Sequence, residues 1–167
     1  RGFILLAPAP NSDCSRLLGR CISYIIPTLN KEGTLDETLD SIENQAGDKE
    51  VIITDGGSND KTLEITQKRR CEIISSIPGR GTQLNRGADQ AKGDFLLFLH
   101  ADTTLPKGAS IEVVSLMKVS GTIAGSFRLA FKPSSKLLQF YSLFTSLNNL
   151  YFTFGDQGFF MPRSAFY

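Results

Sequence analysis

FLLFLHADTTLP, residues 95–106, decides how the rest of the chain is read. Five apolar residues, Phe95 to Leu99, run without alternation and give way at once to His100, Ala101 and Asp102. An apolar run of this length, closed by a polar turn and Pro106, reads as a strand buried on both faces. Such strands belong to parallel sheets covered by helices, so the neighbouring sequence should alternate between the two element types.

Upstream it does. CISYIIP (21–27), EVIITD (50–55) and CEIIS (71–75) are further short β-branched or apolar runs. Between them, TLDETLDSIENQ (34–45) sets Leu35, Leu39, Ile42 and Ala46 at helical spacing, and Thr34 with Glu37 predicts a capping box. DKTLEITQKRR (60–70) is a second, more polar helix. GTQLNRGADQAK (81–92) is a third, entered through Pro78-Gly79 and left before Gly93. Four strands alternating with three helices predict an α/β fold, a Rossmann-like doubly wound sheet with right-handed crossovers.

After Pro106 the pattern is mixed. GASIEVVSLMK (108–118) reads as a helix and GTIAGSFRLAF (121–131) as one longer, partly exposed strand. SSKLLQFYSLFTSLNNLYF (134–152) aligns Leu137, Phe140, Tyr141, Phe144, Leu147 and Tyr151 on one helical stripe. Leu138, Leu143, Leu150 and Phe152 fall outside that stripe. The surplus leaves two readings of the 135–152 helix: burial in the domain, or a face for a homodimer or a lipid-like acceptor. DQGFFMP (156–162) is a last strand.

The 167 residues suit a single domain over 22–167, preceded by an irregular arm, 1–21, that carries Pro8 and Pro10. Eighteen basic residues against seventeen acidic give a net charge of +1, which excludes the basic footprint of a nucleic-acid binder. Cys14, Cys21 and Cys71 are odd in number and lack C-x-x-C spacing, so reduced thiols in a cytoplasmic protein are expected. FILLA (3–7) is too short for a signal peptide or a membrane span. The chain starts at Arg1 and stops at Tyr167, and both ends read as cut.

Ligands of open parallel sheets bind beyond the carboxyl ends of the strands, and there the polar residues gather. The first strand ends in Pro27-Thr28-Leu29-Asn30 followed by Glu32, and the second in Asp55-Gly56-Gly57-Ser58-Asn59-Asp60. The third leads into Pro78-Gly79-Arg80-Gly81 and the fourth into His100-Ala101-Asp102. Asp55 has the chemistry to accept from a base or a ribose hydroxyl, with Gly56 and Gly57 admitting a ligand to the backbone. DGGSND is equally a turn with a helix cap. Arg80, at a helix start, suits a diphosphate, or is a solvated surface arginine. Asp102 suits a divalent ion shared with phosphate oxygens, or caps the next element. His100 is a hydrogen-bonded structural group or a ligand that manganese would accept. GRGTQLNRG departs from G-x-G-x-x-G, so no dinucleotide cofactor is indicated.

SYIIPTLNKEGTLDETLDSI (23–42), VIITDGGSNDKT (51–62), GRGTQLNRGADQAKGDFLLFLHADT (79–103) and GDQGFFMPRSAF (155–166) occur in this order. Together they resemble the family 2 glycosyltransferases of the GT-A fold, and within them the small bacterial radical-SAM/selenodomain-associated branch. The resemblance implies a sugar-nucleotide donor pocket lined by Pro27, Thr28, Leu29, Asn30 and Glu32, with Asp55 on the base or ribose. It implies Arg80 near the diphosphate beside Asn85-Arg86-Gly87. Mg²⁺ or Mn²⁺ would then sit on Asp102, with His100 at the first position of Asp-x-Asp. Asp156 and Gln157 would lie on the acceptor side. The acceptor is unspecified, with a lipid-linked one and a location peripheral to the membrane among the options. Two departures stand out: His100 replaces the first Asp of Asp-x-Asp, and Gly56 replaces the second Asp of D-D-G-S. The resemblance also implies a catalytic Asp within a Glu-Asp pair, and this sequence contains no such pair. Catalytic residues therefore stay unassigned. The natural protein is expected to continue past Tyr167, and this chain to bind a donor but transfer sugar feebly. Two alternatives are a non-catalytic sugar-nucleotide-binding module and a nucleotidyltransferase. The latter usually has a glycine-rich basic loop after the first strand, where this chain has PTLNKEGT (27–34).

Overall fold

The structure, a computed structural model, describes residues 2–5, 20–69, 71–119, 123–131 and 158–167. Its strands are β1 Gly2–Leu5, β2 Ile22–Thr28, β3 Lys49–Asp55, β4 Glu72–Ser75, β5 Phe95–Phe98, β6 Thr103–Thr104, β7 Gly125–Ser126, β8 Arg128–Phe131 and β9 Phe159–Pro162. The helices are α1 Leu35–Glu43, α2 Thr62–Lys68, α3 Arg80–Gln90 and α4 Ala109–Met117, and a 3-10 turn spans Arg163–Ala165.

Apolar runs without alternation make sense once both faces of the sheet are seen to be covered. Ile22, Tyr24 and Ile26 of β2 join Ile53, Phe95, Leu97 and Leu99 in a core packed on α1 and α4. The intervening Ile25, with Ile52, Leu96 and Phe98, packs on Ala88 and Ala91 at the α3 face. Period-two geometry sends alternate residues to opposite faces, and here both faces demand hydrocarbon. Gly87 lets α3 approach closely, since a Cβ there would meet Ile25 Cγ2 at 2.5 Å. The expected fold class is present: helices flank a mostly parallel six-stranded sheet ordered β4-β3-β2-β5-β9-β7. β9 runs antiparallel to β5 and pairs antiparallel with β7, so the second half is mixed.

The order also locates the point where the sheet reverses its direction of growth. β2, β3 and β4 step outward in one direction, and the chain then returns to place β5 on the other side of β2. This reversal between β2 and β5 is the topological switch point, where such sheets bind ligands.

Three local expectations need correction. The stretch 121–131 does not form one strand; β7 joins the six-stranded sheet and β8 a separate three-stranded sheet, β6-β1-β8. The break is at Phe127, which turns into the core 5.0 Å from the Phe160 ring and is 2% exposed. Gly125 passes over that same ring, where a Cβ would clash at 2.4 Å. The capping box also fails to form. Thr34 makes no side-chain cap and its Oγ1 is buried without a partner, while its N–H, the donor that a Glu37 side chain would take in such a box, goes to the Lys31 carbonyl at 3.1 Å. Finally, the arm read as irregular contains β1, which pairs parallel with β6 and antiparallel with β8.

A buried polar network fixes the segment that follows Asp102. The Tyr24 hydroxyl lies 2.8 Å from Ser110 Oγ, and Gln45 Nε2 donates to the carbonyls of Ser41 and Pro106 at 3.0 and 2.9 Å. Leu105 N–H donates to Ser41 Oγ at 3.0 Å. Burial pushes the Tyr24 phenol up to about 12, against the opposing pull of its Ser110 hydrogen bond. The predicted 135–152 helix lies outside the described residues. No described helix is long and apolar enough to cross a membrane.

Candidate functional site

Two loops at the carboxyl edge are bound into one unit. Asp55 closes β3 and is 4% exposed. Its Oδ1 accepts from Thr28 Oγ1 at 2.9 Å and Ser58 Oγ at 2.5 Å. Its Oδ2 accepts the N–H groups of Gly57 and Ser58 at 3.0 and 2.8 Å. Burial alone would raise the Asp55 pKa, but these donors win and hold it below the ordinary carboxylate value. A carboxylate has about four acceptor positions, and these four donors use them. Asp55 therefore organises the turn from within. Gly57 follows at φ 96°, a left-handed conformation suited to glycine. Gly56 is tight for a different reason: a Cβ there would stand 3.2 Å from Gln83 Nε2 and 3.4 Å from Pro78 Cα.

The loop after β2 reaches across to this turn. Asn30 takes the left-handed φ of 52°, its N–H donates to Ser58 Oγ at 2.9 Å, and its Oδ1 accepts from Asn59 N–H at 2.9 Å. Among the described residues it is the non-glycine residue with positive φ, a cost that the two hydrogen bonds offset. Glu32 N–H donates to Asp60 Oδ2 at 3.0 Å, while Glu32 Oε2 accepts Lys61 N–H at 2.9 Å. Lys31 N–H donates to Thr62 Oγ1 at 2.8 Å. Asn30 and Glu32 thus clasp the neighbouring loop with their side-chain oxygens.

The other expected residues spread along the same edge. Pro27 stands inside β2 opposite Thr54, and Leu29 is 43% exposed just past its end. Arg80 is exposed at the first position of α3. Asn85 sits on the solvent face of that helix, about one and a half turns further along. His100 and Asp102 follow β5, both partly exposed. Asp156 and Gln157 lie outside the described residues.

Two residues that the sequence reading passed over matter here. Gln83, 4% exposed on the sheet side of α3, donates from Nε2 to the carbonyls of Thr28 and Thr54 at 2.9 and 2.7 Å. It ties the ends of β2 and β3 to the helix, and the helical spacing Gln83–Gly87 marked it as sheet-facing. Lys31 crosses the switch point: its Nζ lies 3.2 Å from Asp102 Oδ2, with side chains 36% and 41% exposed. Its signal was only its place between Asn30 and Glu32.

Among the described residues no group of three His, Cys, Asp or Glu side chains could hold a metal by itself. The half-exposed Asp102 fits a different arrangement, in which one carboxylate shares a divalent cation with phosphate oxygens and water. A cavity of about 430 Å³ lies elsewhere, at the amino edge among Leu39, Ile42, Val51, Lys68, Arg69 and Cys71. There Arg69 is held by Asp36, Asp40 and Glu43 at 2.6, 2.6 and 3.1 Å.

Residues 23–164 match the family described as Glycosyl transferase family 2. A PGL/p-HBAD biosynthesis glycosyltransferase of Mycobacterium bovis is 43% identical over 91 residues, covering 50% of this chain and 36% of that protein. The GalNAc(5)-diNAcBac-PP-undecaprenol beta-1,3-glucosyltransferase of Campylobacter jejuni is 34% identical over 97 residues, 53% of this chain and 31% of that protein. The chain thus aligns with about a third of the length of these relatives. Among solved structures, glucosyl-3-phosphoglycerate synthase from Mycobacterium tuberculosis, in complex with phosphoglyceric acid, superposes with a TM-score of 0.68. That match has 22% identity and covers 94% of this chain and 63% of the other, a likeness of fold.

Proposed function

The chain belongs to glycosyl transferase family 2, and on that premise we propose that its carboxyl edge binds a sugar nucleotide whose sugar passes to an acceptor hydroxyl. The observation that carries this is the convergence at the switch point. The Lys31–Asp102 pair bridges the ends of β2 and β5 on a sheet edge that also carries the α3 N-terminus and Arg80. Exposed backbone N–H groups at a helix start favour an anion, and a guanidinium beside them offers paired donors to phosphate oxygens. Leu29 and Ile77, 43% and 67% exposed, add apolar surface suited to the face of a base.

The residues divide by role. Arg80 and the first turn of α3 hold the diphosphate. Asp102, with His100 beside it, would hold a Mg²⁺ or Mn²⁺ ion, which would supply positive charge against the departing diphosphate. Asp55, Asn30, Glu32 and Gln83 act one layer back, holding the two loops at fixed separation so that the pocket is formed before the donor arrives. The acceptor is a hydroxyl compound, a lipid-linked one being among the candidates.

The test is calorimetric titration with uridine and guanosine diphosphates, each with and without manganese. Binding that manganese strengthens and that Arg80→Ala weakens about tenfold is expected. A chain that binds neither nucleotide under either condition overturns the reading.

A further inference from the structure

We infer that Lys31 is an exchangeable counter-ion: its ammonium neutralises Asp102 while the donor site is empty and moves to the donor's diphosphate when a divalent cation takes that carboxylate. This rests on the donor reading above.

The geometry separates a fixed backbone from a movable side chain. Lys31 N–H donates to Thr62 Oγ1 at 2.8 Å, and its carbonyl accepts the Thr34 and Leu35 N–H groups at 3.1 and 3.0 Å. The preceding Asn30, at φ 52°, is itself gripped by Ser58 and Asn59. The Lys31 Cα is therefore pinned at the mouth of the switch point. Beyond it only a four-carbon stem holds the ammonium over Asp102, 3.2 Å away and more than a third exposed on both sides. An ion pair so exposed is weak enough to be given up. Partly exposed side chains change rotamer within nanoseconds, so the exchange needs no backbone movement. An ammonium and a divalent cation repel each other at one carboxylate, whereas a diphosphate brought with the cation gives the displaced ammonium a new anion within reach. Lys31 would thus disfavour metal binding before the donor and favour metal and donor together.

The experiment compares the unaltered chain with Lys31→Gln and Lys31→Arg by calorimetry, using manganese chloride alone, uridine diphosphate alone and both together, after unfolding curves show each variant folded. Lys31→Gln should bind manganese alone about two- to fivefold more tightly and uridine diphosphate with manganese about three- to tenfold more weakly. Lys31→Arg should keep both original affinities within about twofold. If the unaltered chain binds the nucleotide with manganese and Lys31→Gln matches it in every arm, the counter-ion role is wrong and the donor reading stands. Tighter manganese binding with no loss of nucleotide refutes the transfer to the diphosphate. An unaltered chain that binds no nucleotide overturns both.

Discussion

Asp94 and Asp102 flank the same strand, β5, one at each edge of the sheet, and they are held in opposite ways. At the amino edge, Asp94 Oδ2 accepts the Cys21 backbone N–H at 3.0 Å and Oδ1 accepts from Arg20 at 2.9 Å. The Cys21 N–H, ahead of Arg20, keeps the Asp94 pKa below the ordinary carboxylate value. At the carboxyl edge, Asp102 is met, among the described residues, by the end of a lysine side chain. A backbone donor cannot leave without unfolding the loop, but an ammonium on a flexible stem can. The difference teaches how to separate structural carboxylates from available ones: by the stiffness of the donor, more than by exposure, since the two side chains are 39% and 41% exposed.

Asp55 belongs with Asp94 by this criterion and should show the largest effect. Asp55→Ala strands two hydroxyls and two backbone N–H groups, and should destabilise the fold by about 3 kcal/mol in chemical denaturation. Because the folded pKa lies below the ordinary 3.8, the stability it lends is in place above that value. It is withdrawn as pH falls through the lower folded value, and the variant should lack that part of the acid dependence. A variant as stable as the parent that has lost nucleotide binding would place Asp55 with Asp102 instead.

The network beneath Asp102 gives the next effect. Tyr24 is fully buried and its pKa is pushed from 10 to about 12. The unfolded chain then releases this proton first, so stability falls as pH rises from 10 to 12, by about 2 kcal/mol. Subtracting the alkaline unfolding profile of Tyr24→Phe from that of the parent should isolate this loss. Identical profiles would mean that the phenol is not sealed in.

The two flanking aspartates complete the series. Asp94→Asn should cost about 1 kcal/mol through its weakened backbone bond. Asp102→Asn should cost less than about 0.5 kcal/mol, because it gives up only an exposed ion pair, while removing the manganese dependence of nucleotide binding. Equal losses of stability in the two variants would erase the contrast between the edges.

The strand alternation and the carboxyl-edge position of the polar loops were legible in residues 22 to 106, because each follows from local pattern, and the family resemblance drew on residues 155 to 166 as well. Burial on both faces writes unbroken apolar runs, and a parallel crossover writes a helix between them. Individual roles were less legible. Asp55, Asn30 and Glu32 have the chemistry of ligand groups, and nothing in their spacing reveals that Ser58, Asn59 and Lys61 already meet them. Gln83 and Lys31 act through contacts 29, 55 and 71 residues away.

By itself, then, the sequence determined the α/β class, the parallel character of β2 to β5 and the edge where polar chemistry gathers, since hydrophobic periodicity and turn residues act over a few positions. Tertiary structure alone decided the break at Phe127, the failed cap at Thr34 and the pairing of β1 with β6. It also decided which carboxylate is gripped by backbone and which by a movable ammonium. Those outcomes depend on which distant atoms arrive within about 3 Å of each other, the range over which a hydrogen bond or ion pair is made, and that proximity exists only once the sheet has assembled.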